Sequence, residues 1–352
     1  MKKLFIAVCC FLSVLKAEPI ETFFGAIDVE EPVLLELIKS PAMQRLKGIH
    51  QYGVAYYTTH REEYNRFNHS MGVFAVLRKN RASLEEQISG LLHDISHTVF
   101  SHVGDWVFGK EYQEDDYQST IYKLYLSHSG IEEILLRHGY NVNRVLPKSK
   151  AFVMLEQPLP NLCADRIDYN IQGAYYQGFL TKKEALELYE DFHFEHGKWI
   201  SSRPDLLKKL VRFSIFMTQD CWGSPCNYAT SCWLAEAILR GLDIGLLSWR
   251  EIHFGIDDDV WNKLSQSQDL EIQRRMVKLA SPNKFFKLVD HTEAHVMVKF
   301  RYRAIDPWVL HEGKAVRLST LDPIIEREFV SVREVAVRGW PLQFLQDSNS
   351  SG

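Results

Sequence analysis

Fourteen histidines occur in the 352 residues, and six of them fall between His50 and His102. Three separated pieces carry the residues best suited to chemistry. They are Arg66-Phe-Asn-His69-Ser-Met-Gly72, then Leu91-Leu-His93-Asp94-Ile-Ser-His97-Thr-Val-Phe-Ser-His102, and finally Asp165-Arg-Ile-Asp168-Tyr169. His93 and Asp94 close a helix that opens at Ser83, so a nitrogen and an oxygen ligand project from its last turn. Adjacent residues diverge by about 100° on a helix, which suits two corners of one coordination sphere. His69 and Asp165 complete a set of imidazoles and carboxylates. Such a set suits a borderline divalent ion (Mn, Mg, Fe, Co, Ni or Zn) with positions open to water and substrate. An ion so held polarises a phosphoryl oxygen and lowers the pKa of water, the chemistry of metal-assisted hydrolysis. A lone His-Asp pair is more often a helix end than a site, but the clustering of histidines shifts that balance. A structural zinc site would prefer Cys, which the segment lacks.

The elements that must position these residues are mainly helical. From about residue 29 to 282 the chain shows short helices. Glu31-Pro32 starts one with Val33, Leu34, Leu37 and Ile38 on a single stripe, and Ser40-Pro41 opens the next. Ser83 with Glu86 forms a capping box, followed by Ile88, Leu91, Leu92 and Ile95 at helical spacing. Asn161 to Tyr176 and Cys232 to Leu247 predict longer buried helices. Gly197 marks the turn of a small hairpin between Phe192 and Ser201. Near Ser281-Pro282 the pattern changes. From Glu293, Val296, Val298, Phe300 and Tyr302 alternate with His295, Met297, Lys299 and Arg301, which is strand periodicity, and His311-Glu-Gly-Lys314 turns into a second strand. The expected organisation is a helical domain over 18–282, an α+β region with a short antiparallel sheet over 283–346, and a frayed polar tail over 347–352.

Composition sets limits. With 46% apolar and 24% charged residues the chain is globular, not disordered. A formal charge of −4 argues against a dedicated nucleic-acid binder. At the N-terminus, Lys2 and Lys3 precede the apolar stretch Leu4–Leu15 and a small residue at Ala17, the layout of a signal peptide over 1–17. That stretch is too short to span a bilayer core of roughly 30 Å as a helix. Export to a periplasm or medium is therefore expected, an uncleaved anchor being the weaker reading. Cys163, Cys221, Cys226 and Cys232 remain after such cleavage, as buried thiols or with one disulfide among the last three.

The histidine pieces resemble the H…HD…D signature of the HD-domain metal-dependent phosphohydrolases, and more narrowly the deoxynucleoside triphosphate triphosphohydrolase-like branch. Pro41-Ala-Met-Gln-Arg45-Leu-Lys-Gly-Ile-His-Gln51-Tyr-Gly53 is similar to that branch's approach to the site, and the motifs follow in its order across residues 24–176. The resemblance implies a helical HD-domain core with His69, His93, Asp94 and Asp165 as metal ligands. It places His97 and His102, with Asp94, in catalysis over the reacting phosphate. Gln51, Arg66, Arg166 and Tyr169 would contact a phosphorylated substrate, and Asp168 would be a structural partner of a neighbouring helix. A homo-oligomer is common in the family.

The pattern departs at three points. No His lies between His102 and His128; the region has Tyr117-Gln118 instead. Gln172-Gly173 replaces an Arg-Asp pair, and Phe216 to Ile238 holds no Lys, Arg or His. A site for three phosphates needs more positive charge than Arg66 and Arg166 supply. The expected function is thus metal-dependent hydrolysis of a phosphate ester, a nucleotide first, by a triphosphohydrolase, nucleotidase or phosphodiesterase reaction. The alternative is an exported metal- and nucleotide-binding protein without turnover.

Overall fold

Prolines that cannot continue a strand or a helix interior instead begin helices here, because the first helical position needs no backbone N–H. Pro32, Pro41, Pro204, Pro225 and Pro323 each open one. A computed structural model describes residues 17–59, 64–109 and 116–345. The signal-peptide segment up to residue 16 and the tail 347–352 lie outside the described residues.

The helices that build the site are α1 (Pro32–Lys39), α2 (Pro41–Arg45), α3 (Arg66–Lys79), α4 (Leu84–Leu92), α5 (Ala164–Tyr176), α6 (Pro204–Phe216), α7 (Pro225–Asp243) and α8 (Pro323–Arg338). The stripe Val33, Leu34, Leu37 and Ile38 is buried on α1 as its spacing requires, and Ser40 caps α2 by accepting from the Met43 amide at 3.3 Å. At α4 the capping box forms only in half. Ser83 Oγ accepts from the Glu86 N–H at 3.2 Å, but the Glu86 carboxylate turns away and accepts from the Met154 and Leu155 amides at 2.8 and 3.0 Å. Two unpaired loop amides outcompete the local cap. α5 starts at Ala164 rather than Asn161. α7 starts at Pro225, seven residues before the expected Cys232, because Ser224 caps it by accepting from Asn227 N.

α3 is the axis of the molecule. Met71 and Phe74 pack into one apolar cluster with α1, α4 and α7. Val73, Ala75, Val76 and Leu77 pack into a second with α5, α6 and α8. A helix buried on every side has no solvent face to spend on polar residues. Polar groups on it, such as Arg66 and His69, are therefore held by partners or serve a site.

Among the described residues three small sheets flank the helices. β1 (Glu18–Thr22) and β2 (Gly25–Val29) form a hairpin that the sequence pattern had not indicated. The expected hairpin is present as β3 (His193–Glu195) and β4 (Lys198–Ser201), with His196 and Gly197 at positive φ in its turn. β5 (Phe286–Leu288) and β6 (Val296–Val298) both pair with β9 (Trp340–Phe344), antiparallel. β7 (Trp308–His311) and β8 (Lys314–Arg317) make the hairpin expected at His311–Lys314, and β7 then runs parallel to β4 with Ile200 opposite Trp308. Strands from both sides of residue 282 thus share one sheet. The expected strand over 293–302 is shorter. It ends at Val298, because its partner β9 begins only at Trp340, where Gly339 at φ +79° turns the chain out of α8, and 299–303 leave the sheet. Among the described residues, no helix is long and apolar enough to cross a membrane. Cys163 is a buried free thiol.

Candidate metal centre

α3 delivers His69 one turn from its N-terminus, and α5 delivers Asp165 in its first turn. His93 caps the C-terminus of α4, with Asp94 in the tight turns that follow. Those turns are strained: Phe100 and Ser101 sit at φ +58° and +56°. They are held by Asp257, whose two carboxylate oxygens accept from the Phe100 amide at 2.7 Å and the His50 amide at 2.9 Å. Ser101 Oγ donates to the His50 carbonyl at 2.8 Å, so the Gln51 loop and the histidine loop are tied to each other as well.

The ligand atoms converge. His69 Nε2 lies 3.1 Å from His93 Nε2 and 3.0 Å from Asp165 Oδ1, and His93 Nε2 lies 3.5 Å from that same oxygen. Asp94 stands 3.6 Å from each imidazole, Oδ2 facing His69 and Oδ1 facing His93. Atoms about 2.0–2.2 Å from one common ion are separated by roughly these distances. The other ring nitrogens are already spent. His69 Nδ1 lies 2.6 Å from Asp168 Oδ2, and His93 Nδ1 lies 2.7 Å from the Gly90 carbonyl. Acceptors at Nδ1 make each ring present Nε2 to the centre, the arrangement that orients metal-binding histidines. Gly72 makes room for this support, since a Cβ there would overlap Asp168 Oδ1.

The electrostatics point the same way. Burial opposes a charge on His69, but hydrogen bonds to Asp165 and Asp168 overcome it and raise the imidazole to about 10. Burial likewise works against His93, and Asp94 and Asp165 still raise it. Against the penalty of burial, Arg66, His93 and His97 hold Asp94 well below the usual carboxylate range, and His69 and His93 do so for Asp165. These carboxylates draw positive charge into the space between them, and a divalent ion supplies it. The donor set therefore fits a metal: His69, His93 and Asp165 hold it, with Asp94 alongside.

The other expected residues gather at the same cavity of about 890 Å³, though not all stand free in it. Arg66 is buried and committed: its guanidinium pairs with Asp94 and donates through Nε to Ser101 Oγ at 2.8 Å. Arg166 donates to the Gln157 carbonyl at 2.5 Å and the Asn161 carbonyl at 3.0 Å, and reaches Glu156 at 3.4 Å. His97 departs from the near-neutral imidazole expected of a proton donor. Burial and then Arg66 push it down to about 4, so it is neutral at physiological pH, with Nε2 3.3 Å from Asp94 Oδ1. His102 is half exposed, its Nδ1 3.1 Å from Asp105 Oδ2. Tyr169 meets Trp222 edge to face with ring centroids 5.8 Å apart. Gln51 Oε1 is buried with no hydrogen-bond partner among the described residues, as a group awaiting a ligand would be.

Sequence reasoning missed several wall residues. Gln118 donates to Asp94 Oδ1 at 3.4 Å in the region where no His occurs. Trp222 is carried into the wall by a π-helical turn, Met217–Trp222, that extends α6. Lys299, Arg301 and Arg303 come from the C-terminal region. Their alternation was visible, but it matched the solvent face of a strand.

Asp257 provides a test of the loop's anchoring. Burial raises its carboxyl to about 7, offset in part by the Phe100 and His50 amides and by Arg45 and Arg66. Since the folded value exceeds the unfolded one, its stabilising contribution is complete below about pH 4 and is lost as pH rises to 7. The two limits differ by on the order of 4 kcal/mol. Asp257→Asn removes the titration. Across that range, denaturant unfolding should therefore shift by that amount in the variant's favour relative to wild type. A pH-independent difference would mean that the carboxyl never protonates in the fold.

Fold and site together define a helical, metal-dependent hydrolase. No protein-family model matches the chain. It is 32% identical to the uncharacterized Bacillus subtilis protein YdhJ, over 89% of this chain and 95% of that one. It is 28% identical to the metal-dependent phosphohydrolase cns2 of Cordyceps militaris, over 86% and 88% of the two chains. A solved phosphohydrolase from Bacteroides thetaiotaomicron shares the fold with a TM-score of 0.61 at 15% identity, over 94% of this chain and all of that one. The chain belongs to the HD-domain metal-dependent phosphohydrolase superfamily, and a divalent metal ion is its cofactor.

Proposed function

We propose that this phosphohydrolase acts on a nucleotide. The observation that supports it is the cavity itself, where the metal centre opens into a space walled by Tyr169, Trp222, Tyr228 and Phe300 and by Lys299, Arg301 and Arg303. Aromatic faces suit a base and cations suit phosphate. A divalent ion bound by His69, His93, Asp94 and Asp165 supplies Lewis acidity toward a phosphoryl oxygen and toward water. The chain's own residues do the rest. Asp168 and the Gly90 carbonyl fix the two imidazoles, and Arg66 fixes Asp94. His97, neutral, holds Asp94 by a hydrogen bond and carries no charge into the site. Water attacks phosphorus and its proton stays with the phosphate product, the bond to the leaving oxygen breaks, and that oxygen takes up a proton. His102, steadied by Asp105 on the cavity wall, is placed to supply it. Gln51 and Tyr169 contact the substrate's sugar or phosphate.

The test is turnover of a panel of nucleoside mono-, di- and triphosphates, cyclic nucleotides and sugar phosphates, with Mn or Mg added. Metal-dependent hydrolysis of nucleotides in preference to sugar phosphates is the expected result. Preference for a sugar phosphate would overturn the nucleotide assignment. Tight nucleotide binding without turnover would favour the binding-protein alternative.

A further inference from the structure

The cavity has a charge problem that only the tertiary structure solves. Arg66 is spent on Asp94 and Ser101, and Arg166 on two carbonyls and Glu156. No cation arrives from Phe216–Ile238. Lys123 and Lys148 line the cavity, and further positive charge arrives from more than 130 residues beyond Asp165, on the segment Val298-Lys-Phe-Arg-Tyr-Arg303.

This segment is a strap fixed at both ends. At one end Val298 is buried and pairs with Trp340 in the β6–β9 ladder. At the other, Ala304 and Ile305 are fully buried, and the Ile305 amide donates to Ser214 Oγ on α6 at 3.2 Å. Between them alternate residues grip the body. The Phe300 ring lies so close to Gly223 that a Cβ there would overlap it. Tyr302 packs against Phe329 of α8, ring centroids 6.4 Å apart, with the Arg333 guanidinium 5.0 Å from its ring centre. The intervening Lys299, Arg301 and Arg303 line the cavity, and among the described residues none of them forms an ion pair with a carboxylate. Arg137, Arg203 and Arg275, by contrast, each pair with a carboxylate. Arg303 is near enough to Tyr169 to oppose the rise that burial and Asp165 impose on its phenol.

We propose that this strap is the site's phosphate clamp, Lys299, Arg301 and Arg303 binding the phosphates of a polyphosphorylated substrate that lie away from the metal centre. A single phosphate at the metal would leave these cations with nothing to neutralise. The clamp takes the place of the basic residues missing from Phe216–Ile238. It rests on the phosphate-ester function above, and its test separates the two.

Inorganic tripolyphosphate and orthophosphate are titrated calorimetrically into the full-length, metal-loaded protein and into Arg301→Gln, Arg303→Gln and Lys299→Glu. Each substitution is expected to weaken tripolyphosphate about tenfold or more and orthophosphate less than about threefold. The slope of log affinity against log salt should fall with each charge removed. In turnover the loss should appear in KM and grow from mono- to triphosphate. Thermal unfolding and bound-metal content show whether each variant is folded. Lys299 is exposed, so its variant tests the clamp even if an Arg variant does not fold. Equal weakening of both anions, or none, overturns the clamp. Strap-dependent tripolyphosphate binding with no nucleotide turned over supports the clamp and removes the nucleotide hydrolase. Turnover of nucleotides with unchanged tripolyphosphate affinity in all three variants does the reverse.

Discussion

Asp94→Ala is expected to abolish turnover and to destabilise the fold by about 3–5 kcal/mol, a combination few active-site substitutions give. The carboxylate has two duties. It faces both imidazole nitrogens of the metal centre, and it neutralises Arg66, a guanidinium buried at the N-terminus of the central helix α3. Truncation leaves that cation in the core with only Ser101 as a partner among the described residues. Unfolding measured with a chelator present removes any linkage to metal, so the loss reports Asp94's contacts with Arg66 and the neighbouring His97 and Gln118. Arg66→Met in the Asp94→Ala background should then recover most of the stability and none of the activity. If Asp94→Ala unfolds like wild type, Arg66 has found water or another partner, and its assignment to Asp94 fails.

That pairing shows what could be read from one dimension. His69, His93, Asp94 and Asp165 were legible because each stands in a short local motif at the end of a readable helix. The commitment of Arg66 to Asp94 was not, because an arginine beside a phosphate site and one beneath it share the same sequence context. Glu86 had the spacing of a cap, yet two amides 68 and 69 residues away claim it. The start of α7 was obscured because Asn227, Thr230 and Ser231 interrupt its apolar stripe. The hairpin β1–β2 fully buries only Val29, so it carries too few apolar positions for its alternation to register in the sequence. The strap is the clearest case. Its alternation of cations with aromatics was visible, but only the turn at Gly339 and the grip of Gly223 on Phe300 convert a strand's outer face into a cavity wall.

Asp165 and Asp168 sit one turn apart on α5 and are expected to separate binding the metal from supporting it. Asp165 meets both Nε2 atoms, so Asp165→Asn removes a ligand and its charge while keeping the side chain's size. Asp168 touches only the far side of His69, where Tyr64 and Gln172 also donate to it, at 3.1 and 2.7 Å. Loss of such a supporting carboxylate typically costs about 10–100-fold in metal affinity. Asp168→Asn should therefore bind metal within that range below wild type and regain much of its turnover when metal is raised in proportion. Asp165→Asn should fall further, by more than about 100-fold, and regain little. Metal titration followed by calorimetry, alongside activity at rising metal, distinguishes them. Should Asp168→Asn prove the more damaging of the two, His69 would owe its position in the centre to its buried partner more than the centre owes its charge to Asp165. The ligand set would then have to be redrawn around His93 and Asp94.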